Sequence, residues 1–163
     1  MAESGTIVRH LCETRDSPAR ALQPAADDAA GRAAHSYMLH YVEGSIMQPI
    51  MLDFMLMKVV ENTPWLGRPL TRGVRDALYN AYTRKELDLH ASFLEGILAK
   101  QEYITGGKFT AADTHLLFAA DGLLTNDPAR AAASPKLAAW IKRVKARPAY
   151  VRAVARDKAL EVK

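Results

Sequence analysis

"YITGGKFTAADTHLLFA", residues 103–119, is the stretch whose reading decides the fold. Thr110-Ala111-Ala112-Asp113 has the spacing of a capping box, in which the Thr110 hydroxyl accepts from the Asp113 amide and the Asp113 carboxylate reaches back to the Thr110 amide. The residues that follow, up to Leu124, are nearly all apolar, so the helix they form belongs in the middle of a bundle. A capping box matters most where a helix end is buried, because water cannot satisfy the free amides there. Alone, the tetrapeptide signals only a well-capped helix.

Working outward, the flanking segments also read as helices. Val74, Leu78, Tyr82, Leu89, Phe93, Ile97 and Leu98 mark a long helix upstream, closed by Gly106-Gly107. Before it, "GRAAHSYMLHYVEGSIMQPIMLDFMLMKVVEN" (31–62) predicts another long helix, capped by Asp27 or Asp28 and kinked at Pro49 with Gly44-Ser45 just upstream. Its second half is apolar on more than one face, which predicts burial on several sides or a place between subunits. The loop "ENTPWLGRPLTRG" (61–73) separates the two. Downstream, helices are expected at about 135–146 and 149–158, split by Arg147-Pro148. At the other end, Ile7, Val8, Leu11 and Cys12 form one apolar stripe on a short helix starting near Ser4, followed by the proline-bearing linker "TRDSPARALQPAADD" (14–28). No alternating pattern is sustained anywhere, so the fold class is all-α.

Composition sets limits. The 163 residues carry 49% apolar and 25% charged side chains, the mixture of a folded globular domain. One cysteine, Cys12, rules out an intrachain disulfide and sits mid-helix on the apolar stripe, where an inert thiol is expected. The first residues lack the basic flank and apolar block of a secretory signal, which points to a cytoplasmic protein. The most apolar run, 46–60, is interrupted by Gln48, Pro49, Asp53 and Lys58, so no membrane span is expected. Residues 136–163 hold nine Lys/Arg against Asp157 and Glu161. They alternate with Leu137, Trp140, Ile141, Val144, Val151 and Val154 at helical spacing, which makes them the wet faces of amphipathic helices and not a nucleic-acid surface. His35 and His40 fall on different helix faces, so no metal site is assigned; His115, inside an apolar helix, reads as a satisfied buried imidazole. Arg68, Arg72, Arg75, Arg84 and Lys85 read as solvated or paired with Asp76, Glu86 and Asp88.

The order of these segments carries more information than any one of them. "YITGGKFTAADTHLLFA" followed by "LAAWIKRVKARPAYVRAV" (137–154) resembles the end of the glutathione S-transferase family, in which a buried capping box opens the central helix of the C-terminal all-α domain. "SYMLHYVEGSIMQPIM" (36–51) looks like that domain's first, kinked helix, and "ESGTIVRHL" (3–11) is similar to the last helix of the family's N-terminal thioredoxin-like domain. The resemblance implies a remnant helix over 1–15, a linker over 16–26 and the helical domain over 27–163. It also implies that the sheet and the Tyr, Ser or Cys that activates the glutathione thiol are not in this sequence, so that the chain is truncated or starts upstream of Met1.

The resemblance further implies what the residues do. Glu3 and Ser4 match the pair that meets the γ-glutamyl end of glutathione; free helix amides and a hydroxyl suit its carboxylate and Glu3 its ammonium. The alternative is that Ser4 caps its helix. Tyr37, Tyr41 and Ser45 become pocket residues for a hydrophobic electrophile, beside the adaptable Met38, Met47, Met51, Met55 and Met57. Thr110 and Asp113 are structural. The expected function is that of a transferase half holding the electrophile, with glutathione as cosubstrate, no tightly bound cofactor, no catalytic residue of its own and little activity alone. Its partners would be hydrophobic small molecules and a second copy or another protein covering an exposed docking face. The rival reading is a non-catalytic interaction or hydrophobic-ligand-binding module.

Overall fold

A computed structural model describes residues 2–15, 21–125 and 127–161; the first part of the expected linker, including Pro18, lies outside them. The described residues form helices α1 (Ser4–Arg15), α2 (Ala29–Tyr41), α3 (Met47–Asn62), α4 (Arg68–Leu78), α5 (Arg84–Leu98), α6 (Ala111–Thr125), α7 (Pro128–Ala133), α8 (Pro135–Lys145) and α9 (Pro148–Glu161). Among them no strand occurs; Tyr103 and Gly106 form an isolated bridge that closes a tight turn, where Gly106 takes a φ of 141°.

Helix α6 is the axis. Ala112, Leu116, Ala119, Ala120 and Leu123 are buried around it, against Leu94 of α5, Trp140 and Leu137 of α8, and Met38 of α2. Each fully buried leucine contributes about 1.5–3 kcal/mol relative to exposure, so this layer is the main source of stability. The alanines let the neighbouring helices approach closely.

Asp113 fixes both ends of that layer. Its Oδ2 accepts from the Thr110 amide at 2.8 Å and the Thr110 hydroxyl at 3.1 Å, while its Oδ1 accepts from the Ile104 amide and the Trp140 indole, both at 2.9 Å. One half of the expected box therefore differs. The Asp113 amide bonds the Thr110 carbonyl at 3.1 Å, and the hydroxyl turns to donate to the carboxylate. A buried carboxylate is the stronger acceptor, so the hydroxyl hydrogen goes there.

Pro49 acts one turn upstream of itself. It has no N–H and its ring would clash with the carbonyl four residues back, and the chain responds with a widened π turn over Val42–Ile46, closed by the Met47 amide on the Val42 carbonyl. Asp28 caps α2 by accepting from the Gly31 amide at 2.8 Å. Helix α4 starts at Arg68, earlier than the periodicity indicated, because Pro69 is tolerated in a first turn; a second π turn, Tyr79–Thr83, joins it to α5. The short α7 was not anticipated; Asp127 caps it by accepting from the Arg130 amide at 3.0 Å.

Of the two expectations for the second half of the 31–62 helix, burial on several sides within the chain is not met, which leaves a place between subunits. Within α3 only Pro49 is buried, and Met51, Phe54, Met55, Met57 and Val59 are exposed. Apolar periodicity records which faces avoid water but not what covers them.

Candidate functional site

At the N-terminus of α1, Glu3 lies in the left-handed region (φ 67°) and is exposed, and its carbonyl accepts from the Ile7 amide at 2.9 Å. The Ser4 hydroxyl donates to Glu43 Oε1 in the first π turn at 2.9 Å. This contact across 39 residues makes Ser4 a tie between α1 and the α2–α3 helix, and it brings in Glu43, which sequence reasoning missed. Cys12 is buried on the face of α1 that meets the bundle, as its stripe indicated.

Tyr37 and Tyr41 stack with ring centroids 6.0 Å apart, and the Tyr41 ring also meets Phe93 of α5 at 5.3 Å. The buried Tyr41 hydroxyl lies 2.6 Å from His90 Nδ1. Burial raises the Tyr41 pKa and lowers that of His90, so the phenol keeps its proton and donates to a neutral imidazole. Tyr41 is thereby committed to packing α2 on α5, and Tyr37 is exposed beside it. Ser45 is half-buried in the π turn.

The apolar cleft forms elsewhere. A recess of about 570 Å³ opens between α3 and α6, and its lining does not include Tyr37, Tyr41 or Ser45. Ile50, Phe54 and Met57 form the α3 wall at i, i+4 and i+7, and Phe118 and Gly122 form the α6 wall. Phe118 is 76% exposed, a large apolar side chain presented to the opening. Gly122 leaves room, since nothing lies within 4 Å of where its Cβ would stand.

Charge at the cleft is neutralised within the fold. Asp53 receives Arg75 at 2.8 Å, and Asp121 receives Lys145 at 2.6 Å. Arg130 is only 4% exposed along its side chain; it donates to Asp88 at 2.8 Å and to the Leu123 carbonyl at 3.0 Å, and lies 3.2 Å from Asp127. With every acid and arginine of the lining paired, the recess suits a neutral apolar molecule, held by aromatic faces and displaced water.

One histidine departs from the sequence reading, and a second shares its environment. His115 Nε2 and His35 Nε2 are buried without a hydrogen-bond partner among the described residues, so His115 is not the fully satisfied imidazole expected. Burial lowers both pKa values, and for His35 the neighbouring Arg32 adds to the shift while Asp113 opposes it. Among the described residues no group of three or more His, Cys, Asp or Glu is placed to hold a metal ion.

Residues 45–148, which hold the whole cleft and the Asp113 network, match the family model described as "Glutathione S-transferase, C-terminal domain". The chain belongs to the glutathione S-transferase family. Glutathione S-transferase 1 of Saccharomyces cerevisiae is 29% identical over 162 residues, covering 98% of this chain and 68% of that protein. Glutathione S-transferase 3 of Schizosaccharomyces pombe is 30% identical over 116 residues, covering 71% of this chain and 47% of its own length. The crystal structure of a glutathione S-transferase from Actinobacillus pleuropneumoniae superposes with a TM-score of 0.65 at 20% identity, over 96% of this chain and 63% of the other. The chain thus spans about half to two thirds of these relatives, and the likeness to the last shows the shared fold.

Proposed function

We propose that this chain supplies the electrophile-binding helical side of a glutathione-conjugating enzyme. The observation that carries the reading is the charge-neutral, aromatic-walled cleft between α3 and α6, which lies wholly within the span matched by the family model. Phe54 and Phe118 hold a flat or apolar electrophile, and the paired acids keep the cleft from favouring a charged competitor. The conjugation forms a C–S bond between the glutathione thiolate and the electrophilic carbon while the leaving group departs with the electron pair of the bond that breaks. The cleft contributes proximity and exclusion of water.

Glutathione is the proposed cosubstrate, met at Glu3 and Ser4. In this arrangement the Ser4 hydroxyl is engaged by the Glu43 carboxylate, so a glutathione carboxylate must displace that contact to use the helix terminus. One terminus positions a tripeptide weakly, since each ordered side chain and lost translation must be offset by contacts. Little conjugating activity is therefore expected of these 163 residues alone. In the same reading residues 1–15, which carry α1, are the remnant of a thioredoxin-like unit, 16–26 is the connection, and 27–163 is the helical domain. A second copy of the chain is the proposed cover for the exposed apolar side chains of α4.

The test is an NMR titration of the chain with 1-chloro-2,4-dinitrobenzene, a neutral aromatic electrophile. Binding should shift Phe54, Met57 and Phe118, and Phe118→Ala should weaken it several-fold. Shifts centred on Tyr37 and Tyr41, or none at millimolar ligand, would contradict the assignment.

A further inference from the structure

A second recess of about 560 Å³ lies at the other end of α6, between its first half, residue Leu22, and the junction of α8 with α9. That volume is within the roughly 300–1,000 Å³ in which proteins hold small organic ligands. Leu22, Phe109, Leu117, Val144 and Tyr150 give it apolar walls, and among the described residues no Asp or Glu takes part in the lining. Leu22 is held in place there, because its carbonyl accepts from the Ala111 amide at 2.7 Å.

Among the described residues the one charged group of the lining is Arg147. Its guanidinium lies over the Phe109 ring, with Cζ 3.6 Å from the centroid, a separation that suits stacking. Stacking leaves the in-plane N–H edges of a guanidinium free to meet a carboxylate with two parallel bonds. Arg75, Arg130 and Arg143 each have a carboxylate partner, whereas Arg147 has none among the described residues. Beside it, Ala149 and Tyr150 occupy the first turn of α9, whose amides have no acceptor inside the helix, and both residues line the recess.

We propose that this recess binds an amphipathic carboxylate, a medium-chain fatty-acid type anion. Its alkyl chain lies on Leu117, Val144 and Tyr150, and its carboxylate lies on Arg147 and the start of α9. The two recesses then differ in selectivity. In the α3–α6 cleft all cations are spent on protein carboxylates, so it takes neutral ligands; here one stacked arginine is unspent, so the head group decides. The inference rests on the geometry of this end of the bundle and stands apart from the conjugating activity.

The test titrates the full 163-residue chain with octanoate, 1-octanol and octyltrimethylammonium, followed by NMR. Octanoate should shift the Phe109, Arg147 and Tyr150 signals and bind at least about tenfold more tightly than the other two, a difference of about 1.4 kcal/mol. Arg147→Gln should remove that preference and leave octanol binding unchanged. Ala153→Trp, which fills the recess from an exposed position on α9, should abolish binding of octanoate while leaving the helical circular dichroism intact. Equal affinity for octanoate and octanol, shifts confined to Phe54 and Phe118, no binding at millimolar octanoate, or octanoate binding unaffected by both variants would overturn the proposal.

Discussion

Asp113 and Trp140, 27 residues apart, are joined by a 2.9 Å hydrogen bond from the indole N–H to a carboxylate that is completely buried. The same carboxylate holds the Ile104 and Thr110 amides. One side chain thus connects the loop before α6, the first turn of α6 and the middle of α8.

Replacing Asp113 by Ala strands those buried donors, and each costs about 1–3 kcal/mol when left unpaired. The expected loss is about 3 kcal/mol or more, read as a lower urea midpoint at an unchanged m-value. Trp140→Phe removes one bond and some volume and should cost about 1–3 kcal/mol. Because the residues are in contact, the double variant should lose less than the sum of the two. Strict additivity would show that the indole bond does not couple α6 to α8.

Stability should fall on mild acidification. His35, His90 and His115 have pKa values lowered from the ordinary 6.5, in each case chiefly by burial. The unfolded chain therefore takes up these protons before the folded one does. The stabilisation is full above pH 6.5 and is lost as the pH falls from there through the folded values. Asp127 acts in a separate window: the Arg130 amide holds its carboxyl below the usual 3.8, so its contribution disappears only at pH values below 3.8. Urea midpoints at pH 7.5 and 5.5 check the first effect; a higher midpoint at 5.5 would contradict it.

The all-α architecture was legible because period and punctuation agree. Asp28, Pro49 and the Thr110–Asp113 spacing mark the termini and the break where the chain places them. What the spacing could not reveal was long-range. Ile104 and Trp140 complete the Asp113 network only once the loop and α8 fold back, and Glu43 reaches Ser4 across 39 residues. The α3–α6 recess was not legible for a related reason. Tyr37 and Tyr41 are aromatic and neighbouring, as a lining would be, but the π turn and α5 direct Tyr41 to His90. The Ile50, Phe54, Met57 wall was hidden in a helix apolar on several sides, where no single stripe stands out. Helix α7 was not anticipated because it is six residues long, although Asp127-Pro128 is a cap followed by a first-turn proline.

Leu70, Val74, Leu78 and Tyr82 recur every four residues along α4 and the second π turn, and all are exposed. A contiguous apolar surface of this kind favours association. Sedimentation velocity should show a dimer or larger species at tens of micromolar, and Val74→Glu should shift it toward monomer with unchanged helicity. A monomer at every concentration would remove the second copy from the account.

In the proposed division of labour these helices bind the electrophile and do not themselves ionise the thiol. The most direct measurement is the rate of conjugate formation from glutathione and 1-chloro-2,4-dinitrobenzene, with the 163-residue chain at high micromolar concentration. A rate indistinguishable from the uncatalysed reaction, together with electrophile-induced shifts at Phe54 and Phe118, is the predicted result. Multiple turnovers by the chain alone, abolished by Ser4→Ala, would contradict it.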